Sequence, residues 1–236
     1  MFSAKDRLIV ALDFPSTDDA REFTDQIGPA VSFYKIGLEL LFRGGVELVL
    51  ELRDKGNHIF FDAKLLDIGN TVERSVSNIA ELGATFLTVH GTDRKTMEAA
   101  VRGRGDSPLK LLCVTVMTNL DQSDLSEQGI TMPPGELAEH RAKLAQECGF
   151  DGVISSGHEA ARIRQLLGTS GLIVTPGIRP NLAQSDDQAR IMTPDLAIRA
   201  GASHLVVGRP ITRARDPRLA AQSIIDDIGR ALASDS

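Results

Sequence analysis

Short, almost continuously apolar runs alternate with amphipathic helical patterns along the whole chain. Runs such as LIVALD and HLVVG are typical of parallel strands that are covered on both faces. The pattern predicts eight strands, near residues 7–13, 33–37, 58–63, 85–90, 110–117, 152–156, 172–176 and 204–208. It also predicts eight helices, near residues 17–27, 40–55, 70–82, 93–103, 135–148, 158–168, 193–200 and 216–233.

A glycine recurs where a predicted helix gives way to the next strand. The segments DKGNHIFFD, ELGATFLTV, ECGFDGVIS and RAGASHLVV share this arrangement. Glycine ends helices well because it adopts the left-handed conformation without a Cβ penalty. Repetition of this turn predicts an α/β fold, a single-domain (β/α)₈ TIM barrel spanning residues 1–236. A doubly wound sheet is the alternative, but no GxGxxG follows the first strand.

Composition and charge narrow the classes of function. The chain has 236 residues, of which 42% are hydrophobic and 25% charged, and its formal net charge is -6. This acidic balance argues against nucleic acid as a partner, because a phosphate backbone needs a basic surface. No apolar stretch is long enough to span a membrane, and the first apolar run is too short for a signal peptide. Cys113 and Cys148 form no CxxC motif and have no His nearby at the spacing of metal ligands. We therefore expect two reduced thiols in a cytoplasmic protein.

Charged residues gather where the first three predicted strands end. Asp62 and Lys64 are two positions apart and therefore lie on the same side of strand three. Asp67 follows that strand, strand one ends at Asp13, and strand two contributes Lys35. Because the carboxyl ends of barrel strands form the catalytic face, these charges predict a chemical site. A structural salt-bridge network is the competing explanation.

At two predicted helix starts, the sequence indicates which polar residue caps the helix. Ser16 is expected to cap the first helix, and Asn70 followed by Glu73 predicts a capping box at the third. Asp13 and Asp67 are then not needed as caps and are available for the site.

The loops after strands seven and eight have the composition of an anion-binding site. TPGIRP supplies Arg179, VVGRPI supplies Gly208 and Arg209, and SDDQAR supplies Gln188 in a loop long enough to close over a ligand. Barrels commonly bind phosphate at these loops, and arginine binds phosphate through two parallel hydrogen bonds.

Two further polar residues follow strands four and five. His90 is expected to be a hydrogen-bonded histidine at the top of the barrel without a chemical role. Thr118 either binds a ligand amide or simply begins a loop.

The segment DAKLLDIGNT resembles the D-x-K-x-x-D signature of the orotidine 5′-monophosphate decarboxylase family. ALDFPS, YKIGLEL, TVH, TPGIRP with DDQAR, and VVGRPI resemble segments of its bacterial members, in the same order along nearly the whole chain. A sister family of metal-dependent sugar-phosphate decarboxylases carries the same signature, but has a Glu at the end of strand two that helps to hold Mg²⁺. Lys35 in this chain therefore favours the nucleotide enzyme.

The resemblance implies decarboxylation of orotidine 5′-monophosphate to UMP, the last step of de novo pyrimidine nucleotide synthesis, without metal or other cofactor. Lys64 would protonate the C6 carbanion, and Asp67 would reach the neighbouring site of a homodimer. The implied catalytic residues are Lys64, Asp62, Asp67 and Lys35. The implied substrate-binding residues are Asp13, Lys35, Asp62, Asp67, Asn70, Thr71, Thr118, Arg179, Gln188, Gly208 and Arg209.

Two alternatives stay open at this point. One is a Mg²⁺-dependent sugar-phosphate decarboxylase or lyase of the same barrel superfamily. The other is a non-catalytic nucleotide-binding barrel, which would use the phosphate site but give the Asp–Lys–Asp cluster no purpose.

Overall fold

Eight parallel strands form a closed barrel, in which each strand pairs with the next and β8 pairs with β1. The computed structural model describes residues 3–180 and 192–234. The strands are β1 (Leu8–Ala11), β2 (Phe33–Gly37), β3 (His58–Leu65), β4 (Phe86–His90), β5 (Lys110–Val114), β6 (Gly152–Ile154), β7 (Leu172–Thr175) and β8 (His204–Val207). The predicted (β/α)₈ barrel is confirmed.

Helices connect the strands and surround the barrel. The α-helices are α1 (Thr17–Ile27), α2 (Leu38–Leu41), α3 (Gly45–Asp54), α4 (Gly69–Glu81), α5 (Arg94–Arg104), α6 (Gln122–Glu127), α7 (Pro134–Cys148), α8 (Gly157–Leu167), α9 (Pro194–Arg199), α10 (Arg209–Thr212) and α11 (Pro217–Ser234). Each long helix turns an apolar stripe towards the strands, as Val72, Val76 and Ile79 do in α4.

Aromatic rings fill the inside of the barrel towards the amino ends of the strands. The rings of Phe33 and Phe86 lie 4.9 Å apart, and Phe60 packs edge-on against Phe86 at 6.0 Å. His204 completes this layer, and burial lowers its pKa to about 3, so the imidazole is neutral at neutral pH. The rings give the barrel a solid interior, and open space remains at the carboxyl ends of the strands.

Several elements differ from the predicted pattern. The helix expected over residues 40–55 is divided into α2 and α3 by Gly44, whose φ of 83° is left-handed. The loop expected after strand five contains α6, which a capping box of Asp121 and Asp124 begins. A further short helix, α10, follows Gly208 directly.

One of the two predicted helix starts is confirmed and the other is wrong. Ser16 accepts a hydrogen bond from the Asp19 N–H and caps α1. The capping box at Asn70 is absent, because α4 begins at Gly69 and Asn70 already lies within its first turn. Glu73 instead forms an ion pair with Arg102 of α5, at 2.9 Å.

The close approach of α4 and α5 depends on one glycine. A Cβ at Gly103 would lie 2.2 Å from the Glu73 carbonyl oxygen, whereas a Cβ at Gly135 of α7 would meet nothing within 4 Å. We expect Gly103→Ala to lower the free energy of unfolding by roughly 1–3 kcal/mol, because the helices must separate. The matched control Gly135→Ala should be neutral or stabilising by up to about 1 kcal/mol. Urea denaturation of both variants measures the difference; equal effects would contradict the close contact.

Candidate active site

A cavity of about 510 Å³ opens at the carboxyl ends of the strands. Phe60 and Val206, which belong to the barrel interior, form part of its floor. Eight of the predicted site residues line it: Asp13, Lys35, Asp62, Lys64, Thr118, Arg179, Gly208 and Arg209. The clusters predicted after strands one to three and after strands seven and eight therefore belong to one cavity.

Two acidic and two basic side chains alternate along one side of this cavity. The Lys35 Nζ lies 3.0 Å from Asp13 Oδ1 and 3.5 Å from Asp62 Oδ2. The Lys64 Nζ lies 2.8 Å from the other oxygen of Asp62, Oδ1. Asp62 and Lys35 are buried, so the two charges balance one another away from bulk water.

The register between β2 and β3 brings these groups together. Lys35 pairs with Phe60, and Gly37 pairs with Asp62. A Cβ at Gly37 would lie 3.0 Å from the Lys35 Nζ, so the glycine leaves room for the ammonium group. This role of Gly37 was not predicted from the sequence. The available signal was its position two residues after Lys35, which places both on the same side of the strand.

The backbone of Lys64 adopts a conformation that is unusual for its residue type. Its φ of 47° is the single positive value at a non-glycine position in the described parts of the chain. Left-handed backbone costs about 1–2 kcal/mol for a residue with a Cβ. The pairing of β3 with β4 shifts register between Phe61 and Leu65, so the strained residue lies in an irregular part of the strand.

The pKa values of the buried pair favour the charged forms. Burial raises the pKa of Asp62, but the ammonium groups of Lys35 and Lys64 and a hydrogen bond from Thr88 more than offset this, and the net pKa is lowered. For Lys35, burial alone would lower the pKa. The nearby carboxylates of Asp62 and Asp13 outweigh this effect, and the net pKa is raised. Both residues are therefore charged around neutral pH.

The lowered pKa of Asp62 predicts a specific loss of stability in acid. A carboxyl group whose pKa is lowered by folding contributes stability above its unfolded-state pKa, and that contribution is lost as pH falls through the folded-state pKa. We expect the stability advantage of the wild type over Asp62→Asn to be constant above about pH 5 and to shrink below about pH 4. Urea denaturation over a pH series measures it; an advantage that grows in acid would contradict the ionised carboxylate.

The residues predicted to bind an anion, Arg179, Gly208 and Arg209, line the same cavity. Arg179 is 5% exposed and its Nη1 donates to the Ile178 carbonyl at 3.0 Å. Its backbone N–H donates to the Met192 carbonyl, which fixes the segment after β7. Gly208 precedes α10, which begins at Arg209, and a Cβ at Gly208 would lie 3.7 Å from Asp13 Oδ2. Gly208 thus adjoins the Asp–Lys network, and the two arginines line the same cavity.

The remaining predicted residues lie elsewhere. Asp67, Asn70 and Thr71 are exposed, and none of them lines the cavity. Gln188 lies outside the described residues. His90 is half-buried on the same face of β4 as Thr88, and burial, with nearby Arg141 and Lys64, lowers its pKa. No hydrogen bond joins its ring to another residue in the described ranges, which differs from the expectation.

Several lining residues escaped sequence analysis. They come from the segments that follow β2, β5 and β8: Glu39, Met117, Asn119, Thr212 and Arg213. Position after a barrel strand was the available signal, but each of these residue types is also common in solvent-exposed loops.

Metal-binding clusters, membrane-spanning helices and cysteines were also sought among residues 3–180 and 192–234. No group of three or more His, Cys, Asp or Glu side chains is arranged there to hold a metal ion. None of the helices in that part of the chain combines the length and the apolar character needed to cross a membrane. Cys113 and Cys148 are both free thiols.

Fold and site together define a (β/α)₈-barrel protein whose cavity combines a buried lysine–aspartate network with arginines suited to an anionic group. The chain belongs to the orotidine 5'-phosphate decarboxylase / HUMPS family, whose model matches residues 6–224.

Named relatives and solved structures agree with this membership. An orotidine 5'-phosphate decarboxylase of Rhodopseudomonas palustris (strain HaA2) is 51% identical over 227 residues, which cover 96% of each chain. One of Caulobacter vibrioides (strain NA1000 / CB15N) is 51% identical over 230 residues, covering 96% of this chain and 98% of the relative. The crystal structure of orotidine 5'-phosphate decarboxylase from Lactobacillus acidophilus is 36% identical and has a TM-score of 0.83, with 94% of this chain and 98% of that chain covered.

Proposed function

We propose that this chain converts orotidine 5′-phosphate to UMP and CO₂. The observation that carries the proposal is the Lys35–Asp62–Lys64 network, which lies in the same cavity as Arg179, Gly208 and Arg209. The names of the relatives that cover nearly the whole chain support the choice of substrate.

The reaction needs a group that stabilises and then protonates a carbanion. When the bond between C6 and the carboxylate breaks, the electron pair stays on C6 and CO₂ departs. In the proposal the Lys64 ammonium stabilises this charge electrostatically and donates a proton to C6, and solvent later returns a proton to the amine. Its ion pair with Asp62 holds the ammonium in place before the reaction begins. Each tenfold gain in rate needs about 1.4 kcal/mol of such differential stabilisation.

The rest of the substrate is assigned to the other lining groups. Arg179, Gly208 and Arg209 would bind the phosphate, where binding energy serves to orient the distant pyrimidine. Asp13 and Lys35 would contact the ribose, because Asp13 lies beside Gly208 and Lys35 joins Asp13 to Asp62. Thr118 would bind the pyrimidine. Gln188, which lies in the sequence between β7 and α9, is proposed as a further phosphate contact.

We propose that the reaction needs no metal or organic cofactor. Two ammonium groups already lie within 3.5 Å of the buried Asp62 carboxylate. A divalent cation at this carboxylate would be repelled by both lysines and would have to displace at least one of them. The chemistry of the donor set therefore favours a lysine over a metal as the electrophilic group.

We further propose a homodimer in which Asp67, Asn70 and Thr71 contribute to the neighbouring subunit's cavity. All three are exposed and lie outside their own cavity. Leu66 and Ile68, on either side of Asp67, are 53% and 74% exposed, and Phe42, which directly follows α2, is 85% exposed. Large exposed apolar side chains that lie close together are typical of protein interfaces.

Because Cys113 and Cys148 are free thiols, we place the enzyme in the cytoplasm.

The experiment that tests the function follows the ultraviolet absorbance of orotidine 5′-phosphate after addition of purified protein in EDTA. We expect rapid loss of the orotate chromophore, with UMP and CO₂ as products. Absence of turnover in EDTA with recovery on adding Mg²⁺ would overturn the cofactor-free mechanism. Nucleotide binding without turnover under either condition would overturn the assignment as an enzyme.

A further inference from the structure

Lys64 is held in its left-handed conformation by an irregularity in the strand pairing. Phe61 pairs with Leu87 and Leu65 pairs with Val89, so three residues of β3 face the single β4 residue Thr88. The Lys64 backbone N–H donates to the Thr88 hydroxyl oxygen, at 2.9 Å.

The Thr88 hydroxyl also makes a second hydrogen bond, to the side chain of Asp62. Thr88 Oγ1 donates to Asp62 Oδ1 at 2.9 Å, and the Lys64 Nζ donates to that same oxygen at 2.8 Å. The main chain of Lys64, the Thr88 hydroxyl and the Asp62 carboxylate thus form a closed ring that returns to the Lys64 ammonium. Thr88 is 0% exposed, and it does not line the cavity.

We propose that Thr88 is a positioning residue, which fixes the Lys64 ammonium by bonding to both the backbone of Lys64 and the carboxylate of Asp62. The inference rests on the proposed decarboxylase function. A hydroxyl is suited to this position because it accepts one hydrogen bond and donates another, and a buried strand position with an apolar side chain would do neither. Without the hydroxyl, the backbone N–H loses its acceptor and the left-handed conformation loses its support.

The charges around Asp62 also link Thr88 to pH. Lys35 from β2, Lys64 from β3 and His90 from β4 face Asp62, and Asp13 lies behind Lys35. The hydrogen bond from Thr88 is one of the causes that lower the pKa of Asp62, after the two ammonium groups. Its loss raises the pH at which Asp62 becomes protonated and releases Lys64.

The test compares Thr88→Val, which keeps the shape of the side chain and removes the hydroxyl, with Thr88→Ser, which keeps the hydroxyl. We expect Thr88→Val to lower kcat roughly 10- to 100-fold, because small displacements of a catalytic group have effects of that size. KM should change less than about threefold, since Thr88 lies outside the cavity. The acidic limb of the kcat profile should move to higher pH, and Thr88→Ser should restore both properties.

Thr175→Val is the matched control. Thr175 is a fully buried threonine at the end of β7, and its hydroxyl has no hydrogen-bond partner among the described residues. Its replacement should leave kcat and the pH profile unchanged. A crystal structure of Thr88→Val gives a readout independent of turnover: Lys64 should leave the left-handed region and its Nζ should move away from Asp62.

The outcomes separate the two proposals. Turnover of orotidine 5′-phosphate by the wild type, with Thr88→Val equally active and its acidic limb unmoved, would overturn the role of Thr88 alone. Loss of activity in Thr88→Ser equal to that in Thr88→Val would also overturn it, since the hydroxyl would then not be the cause. No turnover by the wild type would overturn the proposed function. If Thr88→Val does not fold, the pH profile of Thr88→Ser decides, because the inference requires it to match the wild type.

Discussion

Replacement of Lys64 by alanine is expected to lower kcat for orotidine 5′-phosphate by at least about 10⁴-fold. The variant loses the proton donor and one of the two cations beside Asp62, whereas the other, Lys35, stays 3.5 Å from that carboxylate. The fold should therefore persist, with an unchanged circular dichroism spectrum. Absorbance of the orotate chromophore measures turnover, and calorimetry should show UMP bound within about tenfold of wild-type affinity.

A second lysine provides the control for this variant. Lys110 begins β5 at the opposite end of the barrel and forms an ion pair with Asp151, at 2.9 Å. Lys110→Ala removes the same side chain and the same charge, but it should leave kcat within about twofold of the wild type. Comparable activity in Lys64→Ala and Lys110→Ala would disprove the assignment of Lys64 as proton donor.

Mixing two inactive variants is expected to restore activity if Asp67 acts across a dimer interface. Asp67→Asn should lower kcat by about 10³-fold, since it removes a charge from the neighbouring subunit's site. In a hybrid of Asp67→Asn and Lys64→Ala chains, one site receives an intact Lys64 from one chain and an intact Asp67 from the other. Random pairing of equal amounts should recover about one quarter of the wild-type sites.

The control mixture uses two variants that affect the same chain's cavity. Asp62 and Lys64 are in contact within one chain, so a hybrid of Asp62→Ala and Lys64→Ala chains contains no intact site. It should stay inactive when subunit exchange is demonstrated by a differently tagged chain. Equal recovery in both mixtures, or in neither, would refute a site shared through Asp67.

Most of the fold was predictable because local and global signals agree. Apolar runs, helix-ending glycines and the alternation of side chains along a strand each depend on neighbours in sequence. The eight strands, and the shared side on which Asp62 and Lys64 face the cavity, could therefore be predicted. The break at Gly44 and the helix after β5 were missed, because a short helix in a polar loop has too few apolar positions to show a period.

The sequence was sufficient to predict several of the residues that line the cavity, but not their backbone conformations or their contacts with one another. Charge and position near the carboxyl end of a strand were sufficient to select Asp13, Lys35 and Lys64, which line one cavity. The left-handed backbone at Lys64 arises from the register between β3 and β4, which single-strand patterns do not contain. The role of Thr88 depends on that same register, so a threonine in an apolar run showed no sign of it. The burial of Arg179 likewise depends on packing between distant segments.

The aromatic layer formed by Phe33, Phe60 and Phe86 closes the barrel interior on one side of the cavity. The base of the barrel is closed by packed rings, and the cavity opens at the rim where the described loops meet. If CO₂ is released beside Lys64 as proposed, the packed rings block its path towards the amino ends of the strands. We expect it to leave at the carboxyl ends, where the nucleotide also enters. CO₂ and UMP would then leave by the same route.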